Sequence, residues 1–139
     1  MTIFVDTAAL YALLVRTEDG HQQVATTFSS LLEEGRPLVT TNYVLLETVA
    51  LLQRRVGLGA VRDFEERIVS LLTLRWITEM LHRDAMERLI RSDRRGLSLV
   101  DCSSFVVMER EGIAKAFTLD RDFAAAGFEV IPHFPTTAG

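Results

Sequence analysis

Short β-forming runs alternate with helical stretches along the whole chain, and this alternation is what most limits the fold. The first run, Thr2-Ile3-Phe4-Val5, has no polar interruption and suits a strand buried on both faces. It stops at Asp6. Strands are also predicted over residues 37–40, 74–77, 114–118 and 128–131. Helices are predicted over residues 8–15, 21–34, 43–56, 60–72, 83–94, 100–111 and 121–126. Gly35 closes the second helix, Asn42 caps the third, Gly57-Leu58-Gly59 breaks it from the fourth, and Gly96-Leu97-Ser98 is a turn. Strands that alternate with helices form a mainly parallel sheet, because parallel neighbours need a crossover connection. The expected architecture is α/β: a three-layer α/β/α sandwich around about five strands. Residues 1–134 are expected to form one domain, and residues 135–139 a loose tail.

The composition agrees with one globular domain. The chain has 139 residues, 48% hydrophobic and 24% charged, enough to bury a core without disulfides. Cys102 is the single cysteine, so no internal disulfide can form. It has no histidine near in sequence and reads as a small buried residue rather than a nucleophile. The first fifteen residues are apolar, but they contain Asp6 and lack a basic leader, unlike a signal peptide. No uncharged run approaches the length that spans a bilayer. The expected location is the cytoplasm, with no membrane partner. Net charge is −4, which confines any phosphate-binding surface to a local patch. Lys115 is the only lysine, so that patch would be built from arginines, whose forked donors suit phosphate oxygens.

The acids carry the chemistry. Ligands bind outside the carboxyl ends of parallel strands. Asp6 and Asp120 sit where strands should end, Asp122 lies two residues beyond Asp120, and Asp101 opens a helix. Each aspartate can be read alone as a helix cap. Glu47 is harder to explain that way. Its neighbours three and four residues away, Tyr43, Val44, Ala50 and Leu51, are all apolar or aromatic, so its face is expected to look inward. A buried carboxylate needs a partner: an arginine from elsewhere, or a metal ion shared with other acids. Converging carboxylates repel, and a divalent cation removes that penalty. Oxygen-only ligands favour hard ions, Mg²⁺ or Mn²⁺. His21, His82 and His133 lack the paired spacing of a zinc site. Carboxylates holding Mg²⁺ suit phosphodiester cleavage, in which the ion activates water and stabilises charge on the phosphate and leaving oxygen.

With these motifs in order, the chain resembles the PIN-domain family, and more closely the VapC-type toxin ribonucleases of toxin–antitoxin pairs. Ile3-Phe4-Val5-Asp6-Thr7-Ala8-Ala9-Leu10 resembles the opening strand with its first acid. Thr41-Asn42-Tyr43-Val44-Leu45-Leu46-Glu47 resembles the segment that carries the glutamate. Leu97-Ser98-Leu99-Val100-Asp101-Cys102-Ser103-Ser104-Phe105 resembles the third motif, and Phe117-Thr118-Leu119-Asp120-Arg121-Asp122-Phe123 the last. The likeness runs from residue 2 to about 132, with the four acids 41, 54 and 19 residues apart. It implies that Asp6, Glu47 and Asp101 are the core catalytic and metal ligands. Asp120 would be the fourth, and Asp122 an auxiliary acid that binds through water. Thr7 and Thr118 could orient carboxylates or water, and Asn42 could support them from the side. The implied activity is hydrolysis of RNA phosphodiester bonds by metal-activated water. The implied partners are a second copy of the chain and an antitoxin whose extended tail covers the site.

Arg88, Arg91 and Arg95 fall on one helical face before Asp101 and could guide an RNA backbone. Asp84, Glu87 and Asp93 could instead neutralise that face. Leu45, Val49, Leu52 and Val56 form an apolar seam that can pack on Val61, Phe64, Ile68 and Leu71 as an internal hairpin, or serve a dimer or partner helix. Three other readings stay open: a non-toxin RNA-processing nuclease, a non-catalytic RNA- or protein-binding module, and phosphoryl transfer through an aspartyl phosphate. The last lacks a second acid after Asp6 and does not explain Glu47. Neither a Walker A loop nor a Gly-x-Gly-x-x-Gly run occurs.

Overall fold

The structure, a computed structural model, describes residues 1–134. The expected tail, 135–139, lies outside the described residues. Five strands form one sheet: β1 (Ile3–Val5), β2 (Leu38–Thr41), β3 (Thr73–Arg75), β4 (Lys115–Phe117) and β5 (Glu129–Ile131). Their order is β3-β2-β1-β4-β5, and every adjacent pair is parallel. The helices are α1 (Thr7–Leu14), α2 (His21–Glu33), α3 (Asn42–Arg55), α4 (Leu58–Asp63), α5 (Glu79–Ser92), α6 (Leu99–Glu111) and α7 (Arg121–Ala125). Right-handed crossovers put α1–α4 on one face of the sheet and α5–α7 on the other. Most of the packing agrees: α1 packs on α2 and α3, α3 on α4, α5 on α6, and α6 on α7, while α3 also meets α6. This is the expected three-layer sandwich.

Both faces of the central strands are buried. Phe4 stacks on Phe123 of α7 at 6.4 Å between ring centroids, and Phe117 on Phe28 of α2 at 6.2 Å. Phe4 and Phe123 are fully buried, so Phe4→Ala would cost about 3–5 kcal/mol. Asp6 N–H donates to Phe117 C=O at 3.0 Å, and Thr40 Oγ1 to Val5 C=O at 2.7 Å, which lock the carboxyl ends of three strands together.

Several local expectations are corrected. Thr41, not Asn42, caps α3, its side chain accepting from Val44 N–H. Asn42 Oδ1 accepts from Ile77 N–H at 2.7 Å instead, so it holds the β3–α5 loop. The predicted helix over 60–72 is not continuous. Helix α4 starts earlier, at Leu58, so Gly59 lies inside it. It passes into a π turn, Phe64–Ile68, and a 3₁₀ turn, Val69–Leu71. Phe64, in the π turn, is fully buried. Helix α5 begins at Glu79, four residues before the predicted start, because the Thr78 side chain caps it through Leu81 N–H.

Candidate active site

The sheet reverses its direction of winding between β1 and β4, and the crevice beyond their carboxyl ends is the natural ligand position in such a fold. Asp6 follows β1 there, Asp120 follows β4, and Asp101 enters on the first turn of α6. One carboxylate oxygen from each of the three lies within 4.8 Å of the others. Asp6 and Asp101 are buried and Asp120 is half-buried.

Each acid is held by its surroundings. Thr118 Oγ1 donates to Asp6 Oδ2 at 2.7 Å and accepts from Asp120 N–H at 2.9 Å, so one buried hydroxyl joins two of the acids. Asp120 Oδ1 accepts from Asp122 N–H and caps α7. Ser98 caps α6 through Asp101 N–H at 3.0 Å, which fixes the backbone that carries Asp101. Thr7 is buried beneath the site, where Thr48 Oγ1 lies 3.4 Å from its hydroxyl and donates at 2.7 Å to Val44 C=O. This braces α1 against α3. Sequence reasoning missed Ser98 and Thr48. Ser98 was signalled by its place three residues before Asp101, whereas Thr48 has no local signal.

The electrostatics are strained. Burial pushes Asp6 up from 3.8 to about 7; the Thr118 hydrogen bond opposes this, and the Asp101 and Asp120 charges add to it. Burial likewise raises Asp101 to about 6, with Asp120 and Glu47 pushing the same way and Ser98 opposing. Burial also raises Asp120, with Asp122 N–H and Arg94 opposing. Asp6 Oδ1 is buried and accepts no hydrogen bond among the described residues. A buried carboxylate with one unpartnered oxygen, grouped with two more acids, fits a divalent cation: the donors are all oxygen, and the ion would answer both the missing partner and the repulsion.

The PIN domain family matches residues 3–129. The chain belongs to the PIN-domain family. It is 41% identical over 133 residues to the 23S rRNA-specific endonuclease VapC20 of Mycobacterium tuberculosis, covering 94% of this chain and 98% of that protein. The crystal structure of that VapC20, a Sarcin-Ricin loop cleaving toxin, superposes with a TM-score of 0.80 at 37% identity, over 91% of this chain and 96% of the other. FitAB bound to an IR36 DNA fragment matches in fold, with a TM-score of 0.69 at 17% identity over 99% and 100% of the two chains. The chain is therefore a homologue of VapC-type toxin endoribonucleases.

Within this PIN site the other expected residues sit differently. Glu47 is only half-buried and does not join the close group of acids, although its charge reaches Asp101. The buried face of α3 is Val44, Thr48 and Leu52, one position away from Glu47. Of its apolar neighbours Val44 is in the core and Leu51 packs against it, but Tyr43 lines a surface pocket and Ala50 is exposed. Asp122 lies outside the close group and pairs with Arg94 at 3.0 Å. Arg88 pairs with Glu109 at 2.7 Å and lies over the Phe105 ring at 5.1 Å, while Arg91 pairs with Glu87. Arg95 makes no ion pair among the described residues and is exposed. Cys102 is fully buried, and burial pushes its thiol up, as suits a packing residue.

Proposed function

We propose that this protein is a metal-dependent endoribonuclease and the toxin component of a type II toxin–antitoxin pair, with Asp6, Asp101 and Asp120 as the ligands of Mg²⁺ or Mn²⁺. The observation that carries this is the three-acid group itself, in which Asp6 is buried with its Oδ1 unpartnered. Glu47 would complete the set from the rim, with Asp122 an auxiliary acid released from Arg94. A bound divalent ion supplies charge neutralisation at the phosphate and lowers the pKa of water enough for hydrolysis near neutral pH. The chain's own residues do the rest. Thr118 keeps Asp6 and Asp120 in register, Ser98 anchors Asp101, and Thr7 and Asn42 brace α1 and the β3–α5 loop beside α3. Without a cation the same acids would repel a phosphodiester. Arg88, Arg91 and Arg95 would meet the RNA backbone further along, Arg88 and Arg91 by exchanging their acidic partners for phosphate.

The test is cleavage of an RNA pool containing 23S rRNA, with Mg²⁺, Mn²⁺ or excess chelator, and Asp6→Asn alongside. The expected result is cleavage that needs the metal and is lost in the variant. Cleavage that survives in Asp6→Asn would refute the assignment. The proposed unit is residues 1–134, supported by one sheet and one continuous core. The proposed setting is cytoplasmic; among the described residues no helix is long and apolar enough to cross a membrane. An antitoxin would place a basic residue against Asp6 and Asp101, and a complex with no cation there would count against that idea. A homodimer is proposed on family likeness. The apolar seam offers partial support: α3 packs on α4, yet the seam residues Val56 and Leu71 stay exposed at 53% and 43%. Light scattering would decide.

A further inference from the structure

A second concave site adjoins the acids. It is a pocket of about 430 Å³ lined by Tyr43, Leu46, Glu47, His82, Leu99 and Val100. Val100 immediately precedes Asp101, and Glu47, whose charge reaches Asp101, lines the pocket, so the pocket lies beside the proposed catalytic acids. Its lining is largely apolar. Tyr43 Oη and His82 Nδ1 are hydrogen-bonded at 2.6 Å, their rings edge-to-face at 5.9 Å. This bond ties α3 to α5 and fixes both rings. Leu46 stands 70% exposed on the wall. No arginine or lysine lines the pocket, so it does not suit a phosphate. It does suit an uncharged planar group with apolar faces and polar edges. His82, with Nδ1 engaged, keeps Nε2 for a polar edge, and Glu47 offers an acceptor.

We propose that this pocket receives one unstacked nucleobase of the RNA substrate, next to the bond that is cut, and so selects the cleavage position. The proposal rests on the nuclease reading above. Bases in RNA loops can be splayed from their stack and held on aromatic side chains, with their edges read by hydrogen bonds. Tyr43 and His82 are specificity residues here, not catalytic ones: the bond is cut at the acids, and the pocket sets which nucleotide is beside them.

The test uses stem–loop oligoribonucleotides of the sarcin–ricin loop, intact or with the base removed at one position at a time around the cleaved bond. Wild type, Tyr43→Ala, Tyr43→Phe and His82→Ala are compared for kcat/KM. The aromatic variants are expected to lose roughly tenfold or more on the intact RNA, in line with one base stacked on an aromatic surface. On one abasic substrate that loss should vanish, because the base they serve is already missing. Tyr43→Phe should keep stacking and lose only selectivity among bases. An equal loss on every abasic substrate would mean a structural role and overturn the proposal. If wild type cleaves none of these RNAs, binding decides, with 2-aminopurine at the same positions. Quenching that is present in wild type and absent in Tyr43→Ala keeps the pocket and removes the nuclease reading; no quenching overturns both. Variants that match wild type in both assays overturn the pocket and leave it to an apolar segment of a partner protein.

Discussion

Removing the charge of Asp6 should flatten the pH dependence of stability in the metal-free protein. The folded state raises Asp6 from 3.8 to about 7, chiefly by burial. Folded protein therefore holds a proton that the unfolded chain has already released between these values. Unfolding free energy falls as pH rises through that window and levels off above about 7. The whole difference amounts to about 4 kcal/mol, of which more than half falls between pH 5 and pH 8. Asp101 and Asp120 are raised too, but part of the Asp6 rise comes from their charges, so the contributions are not summed. Asp6→Asn keeps an acceptor for Thr118 but puts an amide where the unpartnered oxygen was. Its absolute stability is thus not diagnostic, whereas its slope is. Urea denaturation in excess chelator at several pH values measures that slope. The wild type should lose about 2–3 kcal/mol more than Asp6→Asn between pH 5 and pH 8. Parallel profiles would refute the buried, unpaired state of Asp6.

Three further outcomes follow from the same geometry. Mg²⁺ or Mn²⁺ should raise the melting temperature, by about 2.7 kcal/mol of stability at a hundred times Kd, and Asp101→Asn should respond less; equal responses in differential scanning fluorimetry would place the ion elsewhere. Thr118→Val should cost about 1–3 kcal/mol in urea unfolding, because it strips the donor from buried Asp6 Oδ2 and the acceptor from Asp120 N–H. Arg94→Ala should change stability by less than about 1 kcal/mol, since its pair with Asp122 is half-exposed, while Asp122→Asn should reduce cleavage far less than Asp6→Asn.

The strands were legible because each is an uninterrupted β-rich run, the mark of burial on two faces. Ile3–Val5 shows this most plainly. What was not legible depended on contacts distant in sequence. Thr41 and Asn42 are both capping residues, and only the approach of Ile77 assigns one to the helix and the other to the loop. Residues 60–72 keep helical spacing throughout, yet Val69 N–H bonds five residues back to Phe64 C=O. Local periodicity does not mark that widening. The inward face expected of Glu47 differs for another reason: apolar residues three and four positions away predict burial, but only Val44 among them is fully buried, while Tyr43 lines an open pocket and Ala50 is exposed. His82 looked isolated until the fold set it against Tyr43.

The convergence of the acids is a property of topology rather than of any one motif. Asp6 and Asp120 follow neighbouring parallel strands, and Asp101 arrives because α6 leads into β4. Residues far apart in the chain meet where the crossovers from β1 and β4 run in opposite directions, and the crevice that opens there beyond the strand ends is where such a sheet holds its ligand. The carboxylates there oppose folding as soon as they ionise. A bound cation reverses the sign of that contribution. The pH profile of the metal-free protein and its response to added Mg²⁺ are therefore two readings of the same charges. A variant that flattens the first without weakening the second would separate acids that only repel from acids that bind.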